Sequence, residues 1–228
     1  MDKVSMFSSI APTYDLLNSI LSLGLHKRWK RRAVSEAGLK VGDRALDLCS
    51  GTGDIAIYLA KKVGPKGRVV ALDFSEEMLK LAQKKAVKWA VSEVIDFQTG
   101  DATQLDLAND SFHAVTIGFG IRNVDKIAKA FSEMYRVLRP GGKVICLEFS
   151  QPTSALIRRI YDFYSFQIIP RIGGLISKNF DAYHYLPDSI REFPDQDRLK
   201  SLMDKAGFKN TYFTNLAFGI VALHTGEK

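Results

Sequence analysis

The stretch Arg44–Asp54, RALDLCSGTGD, decides the fold. Ala45, Leu46, Leu48 and Cys49 form an apolar run broken by one acid, Asp47, and the run has the length of a buried strand. A glycine turn, Gly51-Thr52-Gly53, follows, and the pattern becomes helical from Asp54. Strand, glycine turn and helix N-terminus make the opening unit of a doubly wound, Rossmann-like sheet, whose ligands sit beyond the carboxyl ends of the strands. Two glycines let the backbone approach a ligand with no Cβ in the way. The spacing is G-x-G without the third glycine of the dinucleotide fingerprint, which argues against a bound pyrophosphate.

Outward from that turn, the same rhythm repeats. GRVVALDFS (67–75) is a second apolar run ending in an acid, Asp73, where a carboxylate commonly accepts from ribose hydroxyls. DFQTGDAT (96–103) is a third, ending in Asp101. Helices are predicted over 54–63 and about 75–90, separated by the turn Gly64-Pro65-Lys66-Gly67, with Ser75 as an N-cap ahead of Glu76 and Glu77. FHAVTIG (112–118) reads as a fourth strand and FGIRNV (119–124) as the loop after it. A helix then runs to about Leu138 and stops at Arg139-Pro140-Gly141-Gly142, and Lys143–Phe149 is a fifth strand. Alternation of strand and helix over 44–149 predicts an α/β fold with a parallel sheet. A helix at about Gln196–Ala206 and two strands, Lys209–Asn215 and Gly219–Thr225, close the chain.

Three strand ends carrying Gly-x-Gly, Asp and Asp form a nucleoside site, and the combination resembles the class I S-adenosylmethionine-dependent methyltransferases. That class implies about seven strands with the last antiparallel, in a single domain over residues 1–228. Residues 1–40 read as an amphipathic helical cap with Ile10, Tyr14, Leu17 and Leu21 at helical spacing and Pro12 near a helix start. Residues 150–193 interrupt the rhythm with an aromatic-rich segment that reads as a substrate lid, apolar inside, or as aromatics packed on the sheet.

Length and composition suit one globular domain of 228 residues. The two cysteines, Cys49 and Cys146, fall in predicted buried strands and read as core; no Cys/His spacing suggests a metal. No signal peptide and no apolar run long enough for a bilayer are visible, so a cytoplasmic location is expected. The net charge of +7 concentrates in HKRWKRR (26–32), beside the apolar stretch 20–25, and in a basic–aromatic region from Leu156 to Lys178. Each is either a solvated helix face or a patch that adsorbs to anionic lipid headgroups, making the protein peripheral on the inner face of a membrane.

The resemblance narrows further. YDLLNSILSLGLHKRW (14–29) is similar to the pattern Y-D-x-M-N-x-x-x-S-x-G-x-H-x-x-W, with Leu17 where Met is usual, and RVLRPGGKVICLEFS (136–150) is similar to a second signature of the same family. PRIGGLIS, YLPDSIREFPDQD and GIVALHTG also look like its later segments. The family is that of the ubiquinone/menaquinone biosynthesis C-methyltransferases of UbiE type, and the likeness runs nearly the whole chain. It implies methyl transfer from S-adenosylmethionine to a ring carbon of a prenylated quinol: a demethylmenaquinol, a 2-polyprenyl-6-methoxy-1,4-benzoquinol, or both. A homo-oligomer or a quinone-biosynthesis assembly is a further expectation.

On that resemblance, Gly51, Thr52 and Gly53 shape the turn under the methionine portion and Asp47 holds its ammonium. Asp73 accepts from the ribose hydroxyls, Asp101 and Ala102 meet the adenine, and Met78 covers the adenine face or packs in the core. Arg122, Asn123 and Tyr14 surround the reacting ring. A guanidinium does not deprotonate at neutral pH, so Arg122 stabilises a phenolate or orients a water. His26 is the tempting titratable residue, read here as structural or surface-lying on an outer helix. His113, His184 and His224 carry no constellation. Some family members have a serine at Gly118, whose cofactor contact this chain lacks. An RNA or protein methyltransferase is the alternative favoured only by charge, with no Asn-Pro-Pro-Tyr-like loop to support it, and no nucleic acid partner is expected. A non-catalytic scaffold has no use for the Gly-x-Gly turn, Asp73 and Arg122-Asn123.

Overall fold

The computed structural model of the chain describes residues 3–177 and 180–228; Lys178 and the His184 side chain lie outside the described residues. Strands β1 (Arg44–Leu48), β2 (Arg68–Asp73), β3 (Ile95–Thr99), β4 (Phe112–Gly118), β5 (Leu138–Phe149), β6 (Lys209–Leu216) and β7 (Val221–Glu227) build one seven-stranded sheet in the order β3-β2-β1-β4-β5-β7-β6. The first five strands run parallel, and β7 is antiparallel to both β5 and β6.

The central strands are short continuous apolar runs because both faces of a parallel sheet are covered. On one face Ala45, Val69, Ala114 and Ile145 pack under α2 (Leu25–Glu36) and α3 (Asp54–Val63). On the other, Leu46, Leu72, Val115 and Cys146 pack under α5 (Ile127–Val137) and α9 (Gln196–Lys205). Cys146 is buried within β5, whereas Cys49 lies just past β1 and is half-buried; both are free thiols, pushed well above the ordinary range by burial. The chain order reverses between β1 and β4, the switch point where the loops diverge and leave a crevice.

Two local expectations change. Pro12 lies inside α1 (Lys3–Leu21), not near its start: the buried face of Met6, Ile10 and Leu17 holds the helix through the one hydrogen bond a proline removes. Arg139-Pro140-Gly141-Gly142 does follow the end of a helix, but it belongs to β5 as an irregularity. Phe112 pairs with Leu138, the register then slips, and Ala114 pairs with Lys143, with Gly141 at φ +73°. Elsewhere Ser75 caps α4 (Glu76–Lys88), its hydroxyl accepting from the Met78 N–H at 3.3 Å.

The 150–193 segment is helical: α6 (Ala155–Phe163), a π turn (Tyr164–Ile168), α7 (Ile169–Ser177) and α8 (Phe180–Glu192). Together with α1 it forms a separate apolar cluster of Met6, Ile10, Leu17, Ile169 and Tyr183. The Tyr164 hydroxyl ties the two by donating to the Leu21 carbonyl at 2.7 Å. Among the described residues no helix is long and apolar enough to cross a membrane.

Candidate active site

A cavity of about 440 Å³ lies at the switch point. Its floor comes from the loops after β1, β2 and β4, and its roof from α1, α2 and the helices of the 150–193 segment.

At one end, Asp73 terminates β2 and braces the glycine turn. Its Oδ2 accepts from the Gly51 N–H at 2.7 Å and its Oδ1 from the Ser75 N–H at 2.9 Å. Burial raises its pKa and those backbone N–H groups oppose the rise. Gly51 and Gly53 both have positive φ, +54° and +80°, and a Cβ on Gly53 would stand 2.8 Å from the Ala82 Cβ of α4. Asp47 is wholly buried within β1: Oδ1 accepts from the Thr116 hydroxyl at 2.6 Å, and Oδ2 has no hydrogen-bond partner among the described residues. Burial pushes its carboxyl up to about 7. An unpartnered buried carboxylate oxygen beside a glycine cradle, with the buried Met78 opposite, fits the ammonium, ribose and base of a nucleoside sulfonium.

A chain of charges fastens the roof to this end. The Thr52 hydroxyl donates to Asp15 Oδ1 of α1 at 2.6 Å, and Lys85 of α4 reaches Asp15, Asp54 and Thr52 at 2.5, 2.8 and 3.1 Å. Lys30 of α2 meets Asp54 at 2.9 Å. Two lysines depress the Asp54 carboxyl against its burial. Lys30 is therefore a buried structural cation, not part of a solvated basic face.

At the other end, the loop after β4 folds into a short 3₁₀ turn, Ile121–Asn123. Arg122 donates through Nη1 to Glu148 Oε1 at 2.9 Å and to the Phe119 carbonyl at 2.6 Å. Asn123 Oδ1 accepts from the Tyr185 hydroxyl at 2.9 Å, so α8 touches the loop after β4. Tyr14 lines the same space from α1. His26 is buried against the cavity as well, which excludes the surface-lying reading and leaves it inside: helical spacing turns His26, Trp29, Lys30 and Ala33 inward together. His113 lies at the opposite end of the sheet, its Nδ1 accepting from the Arg44 N–H, and His224 is buried under α9.

Three expected contacts are not among the cavity residues: Gly53, which turns the backbone behind Thr52, Asp101 and Ala102. Asp101 is exposed and both its oxygens are taken by Thr103, by the N–H at 2.7 Å and the hydroxyl at 2.8 Å. Ala102 packs into the core on the α5 side. Gly118 does line the cavity, and the place of a serine Cβ is filled by Ile55 Cδ1, 2.3 Å away.

The profile of the ubiE/COQ5 methyltransferase family matches residues 2–228. The chain belongs to the ubiE/COQ5 methyltransferase family. It is accordingly a C-methyltransferase that uses S-adenosylmethionine. Among its relatives, the ubiquinone/menaquinone biosynthesis C-methyltransferase UbiE of Pseudomonas fluorescens is 45% identical over 98% of this chain and 87% of its own length. The UbiE of Marinomonas sp. is 43% identical over 98% of this chain and 89% of its own. The fold is that of a solved SAM-dependent methyltransferase from Aquifex aeolicus, at a TM-score of 0.64 and 18% identity over 86% of this chain and 88% of that one. The stretch 14–29 supplies Tyr14, His26 and Trp29 to the cavity wall and Asp15 to the Thr52 hydroxyl, and the stretch 136–150 supplies Phe149 to the wall and Glu148 behind Arg122.

Proposed function

We propose that this ubiE/COQ5 member methylates a ring carbon of a prenylated quinol in menaquinone or ubiquinone biosynthesis, with demethylmenaquinol as the acceptor and the 6-methoxy-benzoquinol as a second one. One observation carries the reading: a single cavity joins the Asp47–Asp73 end, suited to the cofactor, to an end lined by Tyr14, Phe119, Phe149, Tyr161 and Arg122, which Glu148 backs, suited to a flat oxygenated ring. S-adenosylmethionine supplies an electrophilic methyl on its sulfonium. The chain supplies alignment of carbon, methyl and sulfur and a place for the phenolic proton. Asp73 accepts from the ribose hydroxyls, Asp47 Oδ2 takes the ammonium, and Met78 covers the adenine. Arg122, fixed and neutralised by Glu148, is a rigid hydrogen-bond donor to a quinol oxygen rather than a base. Asn123, held through its Oδ1, and Tyr14 complete the ring's polar contacts.

The partner surface is an anionic membrane, from which a prenylated substrate would enter. Leu23 is 87% exposed and Leu25 is exposed beside it, next to exposed Lys27 and Arg28. Leu156, Ile160 and Phe163 are exposed on α6 with Arg158 and Arg159. Leu23, Leu25 and α6 also border the cavity, so apolar anchors ringed by cations surround its mouth.

The test is methyl transfer from labelled S-adenosylmethionine to two reduced acceptors in detergent, a short-chain demethylmenaquinol and a 6-methoxy-benzoquinol. Label in the naphthoquinol supports the reading, and label in both extends it. Cofactor binding with neither quinol labelled overturns it.

A further inference from the structure

His26 projects from α2 one turn ahead of Trp29 and Lys30, and its helix face is pinned on both sides. Lys30 is bonded to Asp54 at the first residue of α3, beside the glycine turn. Trp29 packs on Phe119, with ring centroids 6.4 Å apart, in the loop that carries Arg122. His26 therefore hangs between the cofactor turn and the Arg122 loop, lining the cavity while only 5% exposed.

Its tautomer follows from Ser22. The Ser22 hydroxyl donates to the Asn18 carbonyl at 2.5 Å, which uses its one proton. Its contact with His26 Nδ1 at 2.8 Å must then be accepted by the serine oxygen, which also accepts from the His26 backbone N–H at 3.3 Å. Nδ1 thus carries the ring proton, and Nε2 carries the lone pair. Among the described residues Nε2 has no hydrogen-bond partner. Burial and the nearby Lys30 hold the imidazole neutral, its pKa lowered to about 4; Lys27 acts in the same direction and Asp54 and Asp15 oppose it.

Among the described residues Asp47 Oδ2 is also unpartnered, but it lies at the cofactor end, where the ammonium occupies it, and the other polar groups of the cavity are no bases for the ring. Arg122 has only donors. Asp73 has a backbone N–H on each oxygen, Lys30 is paired, and burial raises the Cys49 thiol well above neutrality.

We propose that His26 Nε2 accepts the hydrogen bond of a hydroxyl on the acceptor ring and takes its proton as the neighbouring ring carbon is methylated. This rests on the quinol reading above. The ring carbon's π pair forms the new C–CH₃ bond, and sulfur keeps the pair of the broken C–S bond. The hydroxyl's O–H pair stays on oxygen as it becomes a carbonyl, and the proton goes to Nε2. Loss of the ring C–H proton then restores aromaticity as the oxygen regains a proton, and imidazolium returns its proton to solvent, for a net release of one. A weak base suffices, because a hydroxyl on a ring that has gained a methyl cation is far more acidic than a phenol.

The experiment uses the full chain with S-adenosylhomocysteine and, separately, with S-adenosylmethionine. In the wild-type protein labelled with ¹⁵N-histidine, the His26 Nε2 resonance should shift on adding a short-chain demethylmenaquinol and stay unmoved by its bis-methyl ether, which has no hydroxyl. In His26→Gln, whose amide oxygen can accept a hydrogen bond but cannot take a proton, cofactor affinity should stay within about twofold. Quinol KM should change little and kcat should fall about 100-fold or more. An unmoved Nε2 resonance, or a His26→Gln variant as active as wild type, overturns the inference while leaving the quinol reading standing. Wild-type protein that labels no quinol overturns the quinol reading, and this inference with it.

Discussion

The Arg122 guanidinium meets the Glu148 carboxylate at 2.9 Å, with the two side chains only 6% and 1% exposed. Parallel pairing of β4 with β5 sets the meeting, aligning Gly118 with Leu147 so that the turn after one strand covers the last residues of the other. Burial pushes the Glu148 carboxyl up, and Arg122 holds it down. The pair costs desolvation and holds Arg122 fixed at the cavity wall.

Breaking this pair leaves one buried charge uncompensated. Glu148→Leu should lower stability by about 3–5 kcal/mol, and Arg122→Met by a similar amount. The double variant should regain most of that stability in chemical denaturation, yet remain inactive with cofactor affinity near wild type. A double variant that turns over at the wild-type rate would remove Arg122 from the reaction.

Asp47 gives a pH signature. Its carboxyl is pushed up to about 7, whereas an unfolded aspartate titrates at about 3.9. Between those values the folded chain holds a proton that the unfolded chain has lost, so this group's contribution to stability falls as pH rises from about 4 through 7. The stability of Asp47→Asn relative to wild type should therefore increase across that window. With Oδ2 taking the ammonium as proposed, cofactor binding favours the ionised carboxylate, so below pH 7 it should release a proton, seen by calorimetry in buffers of different ionisation enthalpy. The release should vanish in Asp47→Asn.

Gly120 lies against the end of β1. A Cβ there would stand 2.3 Å from the Cys49 Cβ and 3.1 Å from its Sγ, and Cys49 is itself held at φ +51°. Gly120→Ala should cost about 1–3 kcal/mol by overpacking and weaken cofactor binding, because the displaced residue leads directly into Gly51. Gly118→Ala meets only the flexible tip of Ile55 and should be milder by both measures.

Replacing Lys27, Arg28, Arg158 and Arg159 by Gln should reduce sedimentation with anionic liposomes, and raised salt should do the same to the wild type. Replacing Leu23 and Phe163 by Ser should reduce it even at low salt. Sedimentation unchanged in both variants would make these patches solvated faces.

Much of this is legible in the sequence. Strand ends betray themselves by apolar runs closing on an acid or a glycine turn, which is why β1, β2 and the Asp47–Asp73 end were readable. Glu148 was not: in VICLEFS it looks like a strand terminus, and its partner lies 26 residues away in a loop. His26 stands out as a titratable residue, but its inward orientation and that of Lys30 are masked by their neighbours, since five cations around one Trp suggest a wet surface. The spacing of His26, Trp29, Lys30 and Ala33 held the missing signal. Asp101 shows the converse, a strand-end acid whose oxygens a local Thr103 captures.

The most direct test of the account is the position of the transferred methyl. The protein would be incubated with ¹³C-methyl S-adenosylmethionine and short-chain demethylmenaquinol, and the product examined by carbon NMR. The account predicts one labelled methyl on a ring carbon. A labelled methyl on oxygen, or no labelled quinol from protein that binds the cofactor, would contradict it.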